Sequence, residues 1–180
     1  SGLGAKVMLV VPAVSEPSTS YRKTYEFAKE SIRQMVDLAE ELDVTIGIEN
    51  VWNKFLYSPL EFKRFIEEIG SRKVRAYLDV ANLVAIGYPL HWIEELGNQI
   101  AMVHVKDFDS SVGNIEAFRH IGKGNVDWKE AISALKIVGY DGYLVVECPP
   151  SFYPGLRNPT FDDGKKSAQE NSKALDAILK

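Results

Sequence analysis

The sequence predicts an α/β fold built on a parallel sheet, and three observations lead there. Five short apolar runs, rich in β-branched and aromatic residues, are spaced along the chain. Amphipathic helical patterns lie between them. The order strand, helix, strand, helix repeats five times, and such alternation implies parallel strands joined by right-handed crossovers. Two architectures satisfy it: an open doubly wound sheet, or part of a (β/α)8 barrel. No Gly-rich phosphate loop follows the first run, which weighs against a nucleotide-binding sheet.

The strand runs are KVMLVVPAV (6–14), VTIGIENV (44–51), VRAYLDVAN (74–82), IAMVHVKDF (100–108) and GYLVVECPP (142–150). Between the first two, Tyr25, Ala28, Ile32, Met35, Ala39 and Leu42 fall at alternating spacings of 3 and 4, one buried helical stripe within 21–42. Ser58-Pro59-Leu60-Glu61 reads as a helix start, with Ser58 as N-cap, Pro59 in the first turn and Glu61 closing a capping box. Phe62, Phe65, Ile66 and Ile69 form its inner face, and Gly70 stops it. GYPLHWIEELG is a shorter helix that opens on another proline. Asp127 to Glu130 repeats the capping pattern before Ala131, Leu135 and Val138, and Gly139 ends that helix. Residues 151–164, rich in Pro, Gly, Asn and Asp, read as a long loop before a last helix at about 165–179.

A chain of 180 residues, 46% hydrophobic and 26% charged, suits one domain with a buried core. Its net charge of −4, with no long basic run, argues against nucleic acid as a partner. Cys148 is the single cysteine, which excludes an intrachain disulfide framework and fits a reducing, cytoplasmic setting. No apolar run approaches the ~20 residues of a membrane span. Residues 1–14 lack the basic start and long apolar stretch of a signal peptide. The chain opens on Ser1, as a trimmed chain or a piece of something longer would.

The strand ends carry the chemistry. The second run ends in Glu49-Asn50, the third in Asp79 with Asn82 just beyond, the fourth in His104, Lys106 and Asp107, and the fifth in Glu147. Functional groups of parallel α/β folds gather at the C-terminal ends of the strands. Glu49, Asp79, His104 and Glu147 thus form one expected set of metal-capable side chains. Three carboxylates and an imidazole suit one divalent ion such as Mn²⁺, Mg²⁺, Co²⁺ or Zn²⁺. Such carboxylates would repel one another without a cation among them. Side chains alternate along a strand, so Lys106 points the same way as His104. Singly, each of these residues is more often a cap, a rim residue or half of an ion pair.

The ordered set GIENVWNK, YLDVANLVAIGYP, VHVKDF, GKGNVDW and GYDGYLVVECPP resembles the xylose-isomerase-like TIM-barrel superfamily, from about Lys6 onward. Within it the chain is most similar to the sugar-phosphate isomerase/epimerase branch, such as L-ribulose/L-xylulose-5-phosphate 3-epimerases and hexulose-6-phosphate isomerase-like proteins. The resemblance implies a (β/α)8 TIM barrel of which the five runs are strands four to eight. The first three βα units are then absent, and residues 1–180 are the C-terminal part of one domain. A partial barrel of this kind needs another part of the barrel, or another chain, to complete it; a homo-oligomer is a further possibility. The resemblance also implies that Glu49, Asp79, His104 and Glu147 bind one divalent metal.

The implied activity is isomerisation or epimerisation of a sugar or sugar phosphate, by proton transfer through an enediolate that the metal stabilises. Glu49 and Glu147 are the expected catalytic carboxylates. Two acting on opposite faces give epimerisation, and one shuttling a proton between neighbouring carbons gives aldose–ketose isomerisation. Lys106, Asn82, Trp52, His120 and Arg157 are the expected substrate-binding residues: Lys106, His120 and Arg157 for negative charge, and Trp52 for stacking on a sugar face. Epimerases of free ketoses often carry a His where this chain has Asn82 and an Arg where it has Ser110, which leaves the phosphorylated-sugar and polyol branches open. A dehydratase of inosose type is the alternative chemistry, and a catalytically incomplete half-barrel is the alternative to an enzyme. A DNA-repair endonuclease relative is disfavoured, since that branch uses extra histidines and this chain has only His91, His104 and His120. His91 is expected at the surface and Asp127 as a helix cap.

Overall fold

A computed structural model describes every residue except Ser1, Leu3, Tyr153, Pro154 and Leu156. In chain order, the first half holds β1 (Val7–Val10), α1 (Tyr21–Glu41), β2 (Thr45–Glu49), α2 (Pro59–Ile69), β3 (Val74–Asp79) and α3 (Val80–Val84). The second half holds α4 (Pro89–Leu96), β4 (Ile100–Val105), β5 (Asp107–Phe108), β6 (Phe118–Arg119), α5 (Trp128–Ile137), β7 (Leu144–Val146) and α6 (Phe161–Ile178). Five strands pair in parallel in the order β1-β2-β3-β4-β7, a half-barrel of the TIM type. Sequential order with no reversal excludes the open doubly wound alternative. No helix of the described residues is long and apolar enough to cross a membrane.

Register decides which side chains meet. Glu49 pairs with Tyr77, and Asp79 pairs with His104. Paired residues share a face, so these four lie on one side of the sheet. On the other side Ile46, Ile48, Ala76, Leu78, Val103 and Val105 are completely buried. They join Phe62, Phe65 and Ile66 of α2, Trp92 and Ile93 of α4, and Ala131 and Leu135 of α5 in one core. That core explains the apolar runs, and it holds the central strands rigidly beneath the polar ends. The edge strand β1 lacks such cover: Met8 is 42% exposed and Leu9 38%.

Several local expectations need correction. The capping box at Ser58 does not form; Ser58 makes no side-chain cap hydrogen bond. The Glu61 carboxylate instead accepts from the Tyr21 hydroxyl of α1 at 2.8 Å, so a tertiary partner outcompetes the local one. Gly70 does end α2 in a left-handed conformation, φ 84°. The last helix begins at Phe161, four residues before the expected start, because Thr160 and Asp163 close a full capping box there. Part of the loop expected at 151–164 falls on Tyr153, Pro154 and Leu156, outside the described residues. The stripe of α1 ends early: Leu42 is 41% exposed, whereas Lys29 is buried. The third run stops being strand at Asp79, whose carboxylate caps α3 by accepting from Asn82 N at 2.9 Å. The fourth run breaks after Val105, and Asp107–Phe108 pairs antiparallel with Phe118–Arg119 as a separate ribbon. His91 is exposed, and Asp127 caps α5 by accepting from Glu130 N, both as expected.

Candidate metal centre

Glu49 closes β2, Asp79 closes β3, His104 lies near the end of β4, and Glu147 immediately follows β7. Each offers one ligand atom, and these four atoms lie within 4.8 Å of one another. Glu49, Asp79 and His104 are buried, at 7%, 0% and 8% exposure. Glu147 is the open corner, with 47% of its side chain exposed. His104 Nδ1 is 2.8 Å from Glu49 Oε1, and 3.8 Å from both Asp79 Oδ2 and Glu147 Oε2.

Neighbouring backbone and side chains hold the cluster in place. The Asn50 amide donates to Asp79 O and accepts from Asp79 N, both at 2.8 Å, which extends the β2–β3 pairing by a side chain. Tyr77, two residues before Asp79 and on its face, places its ring 4.4 Å from the His104 ring. Beneath it Gly47 is required for close approach: a Cβ there would stand 3.0 Å from both Tyr77 Cδ2 and Val7 Cγ1. Tyr77 therefore floors the site. Burial first, then the surrounding Glu49, Glu147 and Asp79 charges, push its hydroxyl up to about 12.

Lys106 enters the cluster itself. Its Nζ is 2.7 Å from Asp79 Oδ2 and also contacts Glu147 Oε2. Complete burial raises Asp79 to about 6, against the pull of Lys106. Burial lowers the affinity of Lys106 for its proton, but Asp79 and Glu147 outweigh it and the net shift is upward. Lys106 pairs with carboxylates of neighbouring strands rather than with the adjacent Asp107. Asp107 is turned away, 1% exposed, and accepts from the backbone N–H of Phe108, Gly122 and Val126 and from the Trp128 indole. It fastens the loop after β6 to β5. Gly124 lies against it so closely that a Cβ would come within 2.4 Å of its Oδ1.

Of the remaining expected substrate-binding residues, Trp52 and Asn82 are bonded to each other and Asn82 to Asp79. Trp52 donates from its indole to Asn82 O at 2.8 Å and packs on Phe108 and Phe118. With Lys54, Tyr57, Ile86, Phe108 and Ser110 it lines a cavity of about 540 Å³. The buried Asn82 amide donates to Asn50 O at 2.8 Å. His120 is buried, 2.6 Å from Asn171 on α6, and burial lowers its pKa. Arg157 is exposed on the segment before α6. Asn50 and Asp107 stand at the strand ends but serve as supports, and Tyr77 is the supporting residue that strand-end reading alone overlooks. For Tyr77 a signal existed, since it lies two residues before Asp79 on a strand.

The donor set fits a divalent cation. Three carboxylates and one imidazole converge in a mostly buried site, and Asp79 Oδ2 is buried without a hydrogen bond of regular geometry. The profile of the xylose isomerase-like TIM barrel family matches residues 1–178, and the chain belongs to that family. It is 26% identical to an inosose dehydratase of Geobacillus thermodenitrificans, over 93% of this chain and 64% of that one. It is 29% identical to a D-psicose 3-epimerase of Enterocloster bolteae, over 67% of this chain and 38% of that one. Among solved structures, an IolI protein with a bound zinc atom superposes with a TM-score of 0.80 at 20% identity, covering 98% of this chain and 64% of that one. The chain spans 38% to 64% of the length of the curated relatives it matches.

Proposed function

We propose that this chain carries the catalytic centre of a divalent-metal-dependent isomerase or epimerase of a sugar or sugar phosphate. The observation that carries the proposal is the convergence of Glu49, Asp79, His104 and Glu147 within 4.8 Å at the ends of neighbouring parallel strands. A bound divalent ion would supply Lewis acidity to a substrate carbonyl, which makes the neighbouring C–H more acidic. Glu147, open to solvent, is the carboxylate placed to take and return that proton. Glu49, buried and bonded to His104, is placed to act from the other end of the ligand row. Lys106 supplies positive charge for a developing oxyanion or a phosphate. Trp52 and the cavity it lines give an adjoining place for the rest of the substrate. We read the five strands as strands four to eight of the barrel, completed by βα units that pair with the β1 and β7 edges.

A second reading, dehydration of an inosose-type polyol ketone, is favoured by the inosose dehydratase relative, which matches 93% of this chain. One experiment separates the two. The protein is loaded with Mn²⁺, Co²⁺, Zn²⁺ or Mg²⁺ and incubated with ketoses, ketose phosphates and inososes in D₂O. Deuterium incorporation without loss of water supports isomerisation or epimerisation. Loss of one water supports dehydration. Failure to retain any divalent ion sinks both.

A further inference from the structure

We propose that Lys106 is the exchangeable counter-ion of this cluster: a divalent ion takes Asp79 and Glu147 from it, and the released ammonium turns toward the negative charge of the substrate. The inference rests on the metal-centre reading above and deepens it by assigning the fate of the second cation. Lys106 Nζ lies 2.7 Å from Asp79 Oδ2 and contacts Glu147 Oε2, and only 7% of its side chain is exposed. The same two carboxylates belong to the set whose donor atoms lie within 4.8 Å of one another. An ion seated among those donors and an ammonium on the same oxygens are like charges in a site with little water to screen them. A divalent ion binds carboxylate oxygen more strongly than an ammonium does, so the lysine is the cation that yields.

Two features make the exchange inexpensive. Asp107 and its hydrogen bonds to Phe108, Gly122 and Val126 fix the backbone beside Lys106, so only the flexible side chain has to move. The Phe118 ring centroid lies 4.7 Å from Nζ, an alternative hold for an ammonium that has lost a carboxylate. Glu147, the exposed corner of the cluster, is the Lys106 partner nearest the mouth of the site.

The test uses the parent chain, stripped with a chelator and then titrated with zinc. Amine acylation at Lys106 is read by mass spectrometry against the exposed Lys129, and zinc binding is read by calorimetry. Slow acylation in chelator, rising toward that of Lys129 at zinc saturation, is the expected result. If zinc binds and Lys106 stays protected, the exchange is wrong while the metal centre stands. If no zinc binds, both fall. Lys106→Met removes the competing cation and should bind zinc about tenfold more tightly; unchanged or weaker binding overturns the inference. The acylation measurement does not depend on that variant folding.

Discussion

Glu147 differs from the other three members of the cluster in its exposure, and that difference underlies the separate job proposed for it. A buried ligand can hold an ion, but a proton carrier must also meet the substrate. Glu147→Gln keeps the shape of the side chain and removes its basicity. In the metal-loaded protein, exchange of the substrate C–H proton in D₂O should fall by roughly 10²–10⁴, the usual cost of losing a general base. Exchange at the parent rate would make Glu147 a ligand only. Asp107 has the opposite character. Its carboxylate satisfies three backbone N–H groups and an indole in a buried place. Asp107→Ala should cost about 3–5 kcal/mol of stability, because buried donors left without an acceptor keep their full desolvation penalty. The midpoint of urea unfolding measures it, and a shift no larger than that of an ordinary surface substitution would show that the loop finds other acceptors.

Between elements, α1 and α2 are joined by charge as well as by packing. Glu68 of α2 accepts from Lys29 Nζ at 2.9 Å and from Arg64 Nε at 2.7 Å. These hydrogen bonds hold its carboxyl near 2, below its ordinary value of 4.5. A carboxylate depressed on folding stabilises the native state above its unfolded pKa, and that contribution fades as pH falls through its folded pKa. Stability should therefore decline between about pH 4.5 and pH 2 in the parent. In Glu68→Gln that part of the decline should disappear, as thermal unfolding across the pH range would show; an identical acid limb in both would remove Glu68 from the account. The same contrast between local and distant partners explains what was legible in the sequence. The strands and the metal-capable residues at their ends followed from short apolar runs and two-residue periodicity, both local signals. The burial of Lys29 within α1 depended on Glu68, which lies on another helix. Glu61 left its capping box for Tyr21 for the same reason. The β5–β6 ribbon has two residues per strand, too few for any periodicity to show. The link from Lys106 to Asp79 and Glu147 required the register of three strands at once.

For the molecule as a whole, the polar cluster and the apolar core lie on opposite faces of the same central strands, so binding of an ion there would be coupled to folding. An ion bound only by the folded chain should raise its stability by about 2.7 kcal/mol at a free concentration a hundredfold above its Kd. A thermal melt with and without chelator measures this, and coincident melts would mean that no ion is held at these residues. One detail of the sheet gives that coupling a direction. The outermost strand, β7, is three residues long, pairs on one side only, and delivers Glu147 directly after its last residue. Short border strands fray more readily than those inside a sheet. An ion held by Glu147 together with Glu49, Asp79 and His104 would tie that border to three interior strands. In this chain alone, without the βα units proposed to pair with β7, fraying of that strand would carry away one of the four ligands. The amide hydrogens of Val145 and Glu147, which face β4, should exchange more slowly when an ion is bound.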